Sequence, residues 1–254
     1  MGKTERVDVS RDSIRIATYN VHKGRGLDRK VNPARVVKVL RELDADIIAL
    51  QEVPCVREEA SERDQSHFFA TALSYHYCIG EKRLLRSGKY GNVVLSRTPV
   101  LATYTYDLSR RGYGRRSCLR ADIELPNGQL LHIFNVHFGI AFTERRYQAR
   151  KLVSSSILTN AELSHPRVVL GDFNDWSGRT SRFLSTHLES VDVRYHIGQR
   201  RSYPGVLPIL HLDHIYFDQA LQLQRLTLHR SRTALIASDH VPLMAEFSLQ
   251  NGHS

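Results

Sequence analysis

Side chains that can bind a metal, move a proton or hold a phosphate recur in this sequence at the ends of apolar runs. The segment "VVLGDFNDW" (168–176) is the clearest case, because Asp172 and Asn174 follow a strand-like run two positions apart. The same placement recurs for Asn20, Glu52, His137, Asp213, Asp239 and His240. A single residue of this kind is usually a turn or a cap, but rigid scaffolds also present reactive groups at strand ends. The repetition favours one shared site.

The residue types suit hydrolysis of a phosphate ester. Glu52 is a hard oxygen donor suited to Mg²⁺ or Mn²⁺, ions that usually take only one or two protein carboxylates. Asp172 can orient or deprotonate an attacking water, and Asn174 can donate to a phosphate oxygen as charge builds there.

Two histidines can add to this chemistry. His137 and His240 can hold the phosphate oxygens when protonated, and an Asp213–His240 hydrogen bond would raise the pKa of that histidine and fix its ring. A metal, a positioned water and such donors meet the needs of in-line displacement at phosphorus. Other catalytic signatures are missing: the sequence has no G-x-S-x-G, H-E-x-x-H or G-x-x-x-x-G-K-[ST] motif, and no G-x-G-x-x-G after a strand.

Mostly strands are predicted to position these residues. Strands are predicted over residues 13–21, 45–53, 90–108 (two, divided at Thr98-Pro99), 119–138 (two, joined at Asn-Gly), 167–173, 212–217, 221–228 and 241–249. Helices are predicted over 32–43, capped by Asn32 with Pro33 first, and over 143–163, capped by Thr143. Hairpins break strict strand–helix alternation, which excludes a TIM barrel or one doubly wound sheet and favours packed sheets with helices outside.

Composition bounds the class of protein. The 254 residues are 41% hydrophobic and contain no linker-like or repeated segment, so one domain over 1–254 is predicted. Residues 1–12 are polar, lack the apolar core of a secretion signal and are predicted to form a loosely ordered tail. No run approaches the roughly 18 apolar residues of a membrane span. The three widely spaced cysteines suit a reducing compartment, so we expect a cytoplasmic protein. We also expect a monomer.

The formal net charge of +10 indicates a class of partner. Basic residues cluster at 81–89, 109–117 and 196–203. Such loops can attract a polyanion, either nucleic acid or anionic lipid headgroups, although solvated loops would have the same composition.

Seven segments in order resemble the motifs of the endonuclease/exonuclease/phosphatase superfamily, which has a deoxyribonuclease I-like fold. They are "TYNVHKG", "LQEV", "YGNVVLS", "NVHF", "GDFND", "LDHIY" and "SDHVP", and the likeness runs from about residue 14 to 248. The resemblance implies an α/β (α+β) fold, a four-layered sandwich of two packed mixed β-sheets flanked by helices. It also implies Mg²⁺-dependent phosphoester hydrolysis, with Mn²⁺ as the alternative ion.

The resemblance also implies a role for each matching residue. The metal site would be formed by Asn20, Glu52 and Asp239. The catalytic residues would be His137, Asp172, Asn174, Asp213 and His240. Contact with the substrate phosphate, or support of the site, would come from Asn92, Arg116 and Arg145. Gln148 and Leu152 share a helical pattern with Arg145, and "SYP" (202–204) resembles a segment that often precedes the Asp213 motif.

Two residues depart from the family pattern. His22 stands where abasic-site endonucleases often have an acidic metal-site residue, and His211 stands where arginine is common. Both departures point away from a standard abasic-site endonuclease and leave the number of metals open.

Three functions therefore stay under consideration. Charge favours a metal-dependent nuclease. The alternative is a phosphodiesterase or phosphatase of the same superfamily acting on a phospholipid or a small molecule. His137 resembles the histidine of the deoxyribonuclease I and sphingomyelinase branches and so allows it, and basic loops suit an anionic bilayer. The third function is that of a catalytically silent polyanion-binding protein. It is disfavoured because every main catalytic position of the motifs carries a residue suited to catalysis.

Overall fold

Two six-stranded β-sheets form the centre of the protein. The structure is a computed structural model that describes residues 13–55, 64–80, 90–125, 127–187, 190–192 and 212–249. The predicted tail (1–12), the basic stretches 81–89 and 196–203, the segment 202–204 and His211 lie outside the described residues.

The first sheet has the strand order β11-β12-β1-β2-β4-β3. Its strands are β1 (Ser13–Asn20), β2 (Ile47–Pro54), β3 (His76–Ile79), β4 (Tyr90–Ser96), β11 (Leu221–Leu228) and β12 (Leu243–Leu249). Strands β1 and β2 are parallel, and the other neighbours are antiparallel, so the sheet is mixed.

The second sheet repeats this arrangement with the order β5-β6-β7-β8-β10-β9. Its strands are β5 (Val100–Asp107), β6 (Ser117–Glu124), β7 (Leu130–His137), β8 (Arg167–Asp172), β9 (Ser190–Asp192) and β10 (Asp213–Asp218). Here β7 and β8 are the parallel pair. In each sheet a parallel pair near the middle brings two strand ends to the same edge.

Helices cover the outer faces of both sheets. The helices are α1 (Pro33–Leu43), α2 (Gln65–Leu73), α3 (Phe142–Val153), α4 (Arg179–His187) and α5 (Arg232–Ala237), with a 3-10 turn at His22–Gly24. One apolar core lies between the sheets, a second packs α1, α2 and α5 on the first sheet, and a third packs α3 and α4 on the second. This confirms the four-layered sandwich of two mixed sheets flanked by helices.

Buried amides join the two sheets near one edge. Gln51 donates to the side-chain oxygens of Thr18 (3.0 Å) and Asn135 (2.9 Å). Asn135 in turn donates to the carbonyls of Leu50 and Val93, both at 2.9 Å. Buried polar groups need partners to offset desolvation. This network therefore fixes how the sheets face each other beside the predicted catalytic residues.

The predicted strands form at their predicted places, and the first helix is confirmed with its cap. The side chain of Asn32 accepts from the Arg35 backbone nitrogen at 3.1 Å. The prediction for the second helix was wrong at both ends: it begins at Phe142 without a side-chain cap, and it ends at Val153. Ser154 donates to the Lys151 carbonyl at 2.7 Å, and such side-chain hydrogen bonds compete with the helical pattern.

Candidate active site

Three predicted catalytic residues lie side by side in the second sheet. In the parallel pair of β7 and β8, His137 lies opposite Asp172. In the antiparallel pair of β10 and β8, Asp213 also lies opposite Asp172. Because the end of β7, the end of β8 and the beginning of β10 share one row, residues far apart in sequence meet at one sheet edge.

The first sheet brings two further predicted residues to the same place. Asn20 ends β1, and its side-chain nitrogen donates to Asp172 Oδ2 across the sandwich at 3.0 Å. Glu52 lies near the end of β2, where pairing with β4 shifts register and the glutamate has φ of +56°. Such bulges re-aim side chains beside functional sites. The Glu52 carboxylate lies 4.0 Å from His137 Nε2 and 3.4 Å from Lys23 Nζ.

The loop between α5 and β12 completes the cluster. His240 Nδ1 lies 2.8 Å from Asp213 Oδ2, as predicted, and its Nε2 lies 3.8 Å from Asp172 Oδ2. Asp239 lies 3.3 Å from Nδ1 of His22. Ser238 donates to the Asn20 carbonyl at 2.8 Å, which ties this loop to the end of β1.

Burial and neighbouring charges set the ionisation of the central pair. Burial raises the pKa of Asp172 to about 6, with the charge of His240 opposing that rise and Asp213 adding to it. Burial disfavours a charged His240, but the carboxylates of Asp213 and Asp172 outweigh it and raise the pKa of the imidazole to about 10. At neutral pH Asp172 is therefore mostly a carboxylate and His240 an imidazolium.

Asn174 is held by its neighbours. Its backbone has φ of +49°, and its N–H donates to Asp172 Oδ1 at 2.9 Å. Its side-chain nitrogen donates to the Phe138 carbonyl at 2.9 Å. Two residues of α3 hold the segment that follows β7. Gln148 accepts from the Gly139 nitrogen at 2.9 Å, and the Arg145 guanidinium donates to the Ile140 carbonyl. Arg145 thus supports the segment that holds Asn174.

Asn92 and Arg116 lie on the side of the site near β4 and β6. The side-chain nitrogen of Asn92 donates to the carbonyls of Ser117 (3.2 Å) and Asn135 (3.1 Å), so it holds together strands of both sheets. Arg116, only 7% exposed, lines both the main cavity and a small recess beside Glu52 and Asn92.

One open cavity of about 290 Å³ connects these groups. Of the eleven predicted site residues, all except Asp213, Asn92 and Arg145 line it. The sequence did not single out Ile140 for this cavity, because a single apolar residue in a loop shows no periodic pattern. It also did not single out Lys23, which lies beside Glu52, although its position after the Asn20 motif is a usable signal.

The oxygen donors predicted for a divalent ion all line this cavity: Asn20, Glu52 and Asp239. Within the described part of the chain, no group of three or more Asp, Glu, His or Cys side chains is arranged to hold a metal ion. Mg²⁺ keeps several waters and takes only one or two protein carboxylates. Two carboxylates and one amide oxygen therefore fit an open site for a hard cation.

The chain belongs to the endonuclease/exonuclease/phosphatase family, whose sequence model matches residues 17–240. This confirms the resemblance seen in the motifs and makes the chain a member of a family that hydrolyses phosphoester bonds, generally with a divalent metal. It is 30% identical over 248 residues to the uncharacterized protein YbhP of Escherichia coli (strain K12), covering 93% of this chain and 97% of that protein.

Solved structures share the fold at low sequence identity. The mannosyl-6-phosphatase Bt3783 of Bacteroides thetaiotaomicron is 17% identical, with a TM-score of 0.74 over 92% of this chain and 99% of that one. D. rerio TDP2 complexed with single strand DNA product is also 17% identical, with a TM-score of 0.71 over 92% and 98%. Such identities establish the shared architecture alone. In the described residues no helix is long and apolar enough to cross a membrane.

Proposed function

We propose that this protein is a Mg²⁺-dependent phosphodiester hydrolase, with Mn²⁺ as an alternative ion. The observation that carries the proposal is the meeting of Asp172 with Asn20, His137 and His240 at the edge where both sheets end. Family membership supplies the reaction class. The arrangement supplies a base, cationic donors and oxygen donors around one cavity.

Asp172 is the group suited to prepare the attacking water. Each of its oxygens already accepts one hydrogen bond, from Asn20 at 3.0 Å and from the Asn174 backbone at 2.9 Å. A carboxylate oxygen has a further lone pair, so it can also accept from a water in the cavity. Its raised pKa of about 6 makes it a stronger base than an ordinary aspartate while leaving it ionised at neutral pH.

Side chains that can donate hydrogen bonds face the position where charge would develop on the phosphoryl oxygens. His240, oriented by Asp213, directs its second ring nitrogen towards Asp172 and the cavity. His137 and Arg116 line the same space, and Asn174 lies beside them. Fixed donors of this kind lower the barrier because they need no reorganisation as charge builds.

A divalent ion would be held by Glu52, Asp239 and the amide oxygen of Asn20. When bound, it would neutralise charge on the phosphoryl and leaving oxygens. The Lys23 ammonium lies 3.4 Å from Glu52, and the His22 ring lies 3.3 Å from Asp239, so each carboxylate has a basic neighbour.

Nucleic acid is the substrate class that the net charge of +10 favours. The fold itself accommodates different substrates, since one neighbour holds a single-strand DNA product and another is a mannosyl-6-phosphatase. Anionic phospholipid is the second candidate, and the exposed apolar residues at the cavity mouth favour it. We further propose that the protein is a monomer and is located in the cytoplasm.

A substrate panel tests this function. Purified full-length protein is incubated with bis-p-nitrophenyl phosphate, plasmid, single-stranded oligonucleotide and phosphatidylglycerol vesicles, each with Mg²⁺, Mn²⁺ or EDTA. We expect hydrolysis of at least one phosphodiester that stops in EDTA and returns with added metal. Polyanion binding that is insensitive to EDTA, without turnover of any substrate, would instead identify a catalytically silent binder.

A further inference from the structure

Apolar side chains are exposed at the mouth of the catalytic cavity. Ile140 (65% exposed) and Trp176 (45%) both line the cavity. Phe142 (40%) follows Ile140 by two positions, and Tyr113 (41%) hydrogen-bonds through its hydroxyl to Thr143 at 2.9 Å. We call Tyr113, Ile140, Phe142 and Trp176 the entrance rim. Exposed apolar residues grouped in this way commonly mark an interaction surface.

Arginine side chains lie against two aromatic members of the rim, Phe142 and Tyr113. The guanidinium of Arg179 lies over the Phe142 ring at 5.4 Å from its centroid, and that of Arg110 lies over Tyr113 at 5.3 Å. Arg111 and Arg115 are exposed in the loop that carries Tyr113. The rim therefore combines apolar surface with positive charge.

The adjacent helix continues the same character. Helix α3 begins at Phe142, and its exposed face carries Arg146, Tyr147 and Arg150. Its acidic residue, Glu144, is buried against the segment after β7 and accepts from Gln148 at 3.2 Å. The exposed face of α3 beside the rim is thus basic and aromatic, which makes it complementary to an anionic surface.

We propose that the entrance rim docks on an anionic phospholipid bilayer, so that the cavity meets the phosphodiester of a lipid headgroup. This inference rests on the proposed hydrolase function and selects anionic phospholipid over nucleic acid, the substrate class that net charge alone favours, because the rim adds exposed apolar surface to the positive charge. Aromatic and aliphatic side chains enter the interface between headgroups and acyl chains, and basic residues beside them are attracted to anionic headgroups. Aromatic rings could also stack on bases, but Ile140, the most exposed member, has no ring to stack.

Vesicle sedimentation in EDTA tests the docking without catalysis. Full-length protein is mixed with phosphatidylcholine vesicles, either alone or with about one quarter phosphatidylglycerol. We expect binding only to the anionic vesicles, weakened about fivefold or more by Phe142→Ser and by Arg179→Glu. The control is Leu101→Ser, because Leu101 is 59% exposed but lies at the far end of β5 from the rim. It should bind within about twofold of wild type.

Several results would overturn the docking. They are equal binding to neutral and anionic vesicles, unchanged binding of both Phe142→Ser and Arg179→Glu, or a weakening by Leu101→Ser equal to that of these two variants. Rim variants that weaken binding to a single-stranded oligonucleotide, but not to vesicles, would identify the rim as a nucleic-acid surface. Hydrolysis of bis-p-nitrophenyl phosphate with Mg²⁺, measured separately, reports on the hydrolase. Vesicle binding without any hydrolysis would refute the proposed function and leave the docking supported.

Discussion

Replacing Asp172 by asparagine removes the proposed base while changing the shape of the side chain very little. The new side-chain oxygen can still accept from the Asn174 backbone N–H. The new side-chain nitrogen then faces the side-chain nitrogen of Asn20, which in the wild-type protein donates to Asp172 at 3.0 Å. The variant cannot take a proton from water. Loss of a general base typically lowers a rate by about 10²–10⁴-fold. That factor corresponds to about 3–5 kcal/mol in the activation free energy.

The assay is the steady-state rate on bis-p-nitrophenyl phosphate with saturating Mg²⁺, together with a urea unfolding curve for each protein. Asp175→Asn is the matched control, because Asp175 is equally buried but accepts from Ser181 at the start of α4 and does not line the cavity. We expect the control to keep a rate within a few-fold of wild type. The role of Asp172 as the base is refuted if Asp172→Asn hydrolyses as fast as wild type, or if both variants lose activity equally.

Three further predictions follow from individual contacts. Asp213→Asn should lower kcat by about 10–100-fold, since a hydrogen bond to a charged group contributes about 1.5–3 kcal/mol. It should also shift the alkaline limb of the kcat–pH profile to lower pH, because Asp213 holds the pKa of His240 at about 10. Asp122→Asn should lower the free energy of unfolding by about 3 kcal/mol or more, because it leaves the charge of Arg120 buried. Burial raises the pKa of the Asp122 carboxyl, but its partners Arg120 and His132 outweigh that effect and hold the pKa below its usual value. The stabilising effect of Asp122 is therefore present above about pH 4 and is lost as pH falls through the folded pKa. Urea unfolding curves at descending pH should show that Asp122→Asn loses less free energy of unfolding in acid than the wild-type protein does. Gly171→Ala should destabilise by about 2 kcal/mol or more, since Gly171 has φ of +143° and an added Cβ would lie 1.9 Å from a β7 carbonyl oxygen; a chemical denaturation curve equal to wild type would contradict this.

The strand pattern was sufficient to predict which residues end strands, and hence most of the site. His137 and Asp172 each end a strongly apolar run, and Asp213 begins one. Such residues lie at strand ends, and in the sheet the three lie side by side at one edge. The family motifs then indicated that Asn20 and His240 belong with them, although Asn20 lies 152 positions from Asp172 in sequence. That contact depends on how two sheets pack, which no local pattern encodes.

Other features depend on structure that the sequence pattern does not reveal. The bulge at Glu52 arises from a register shift against β4, and nothing in "LQEV" distinguishes it from regular strand. The early end of α3 depends on Ser154 bonding to the helix backbone, whereas the apolar spacing continues beyond it. The exposure of Ile140 at the cavity mouth requires the loop between β7 and α3 to be placed in three dimensions.

The destination of the oxygen from water shows whether water attacks the substrate at phosphorus. Bis-p-nitrophenyl phosphate is hydrolysed by the wild-type protein in ¹⁸O-labelled water with Mg²⁺, and both products are analysed by mass spectrometry. A water prepared by Asp172 for attack at phosphorus predicts that the label enters the p-nitrophenyl phosphate, and that the released p-nitrophenol carries none. Label in the p-nitrophenol, or unlabelled p-nitrophenyl phosphate, would contradict the mechanism.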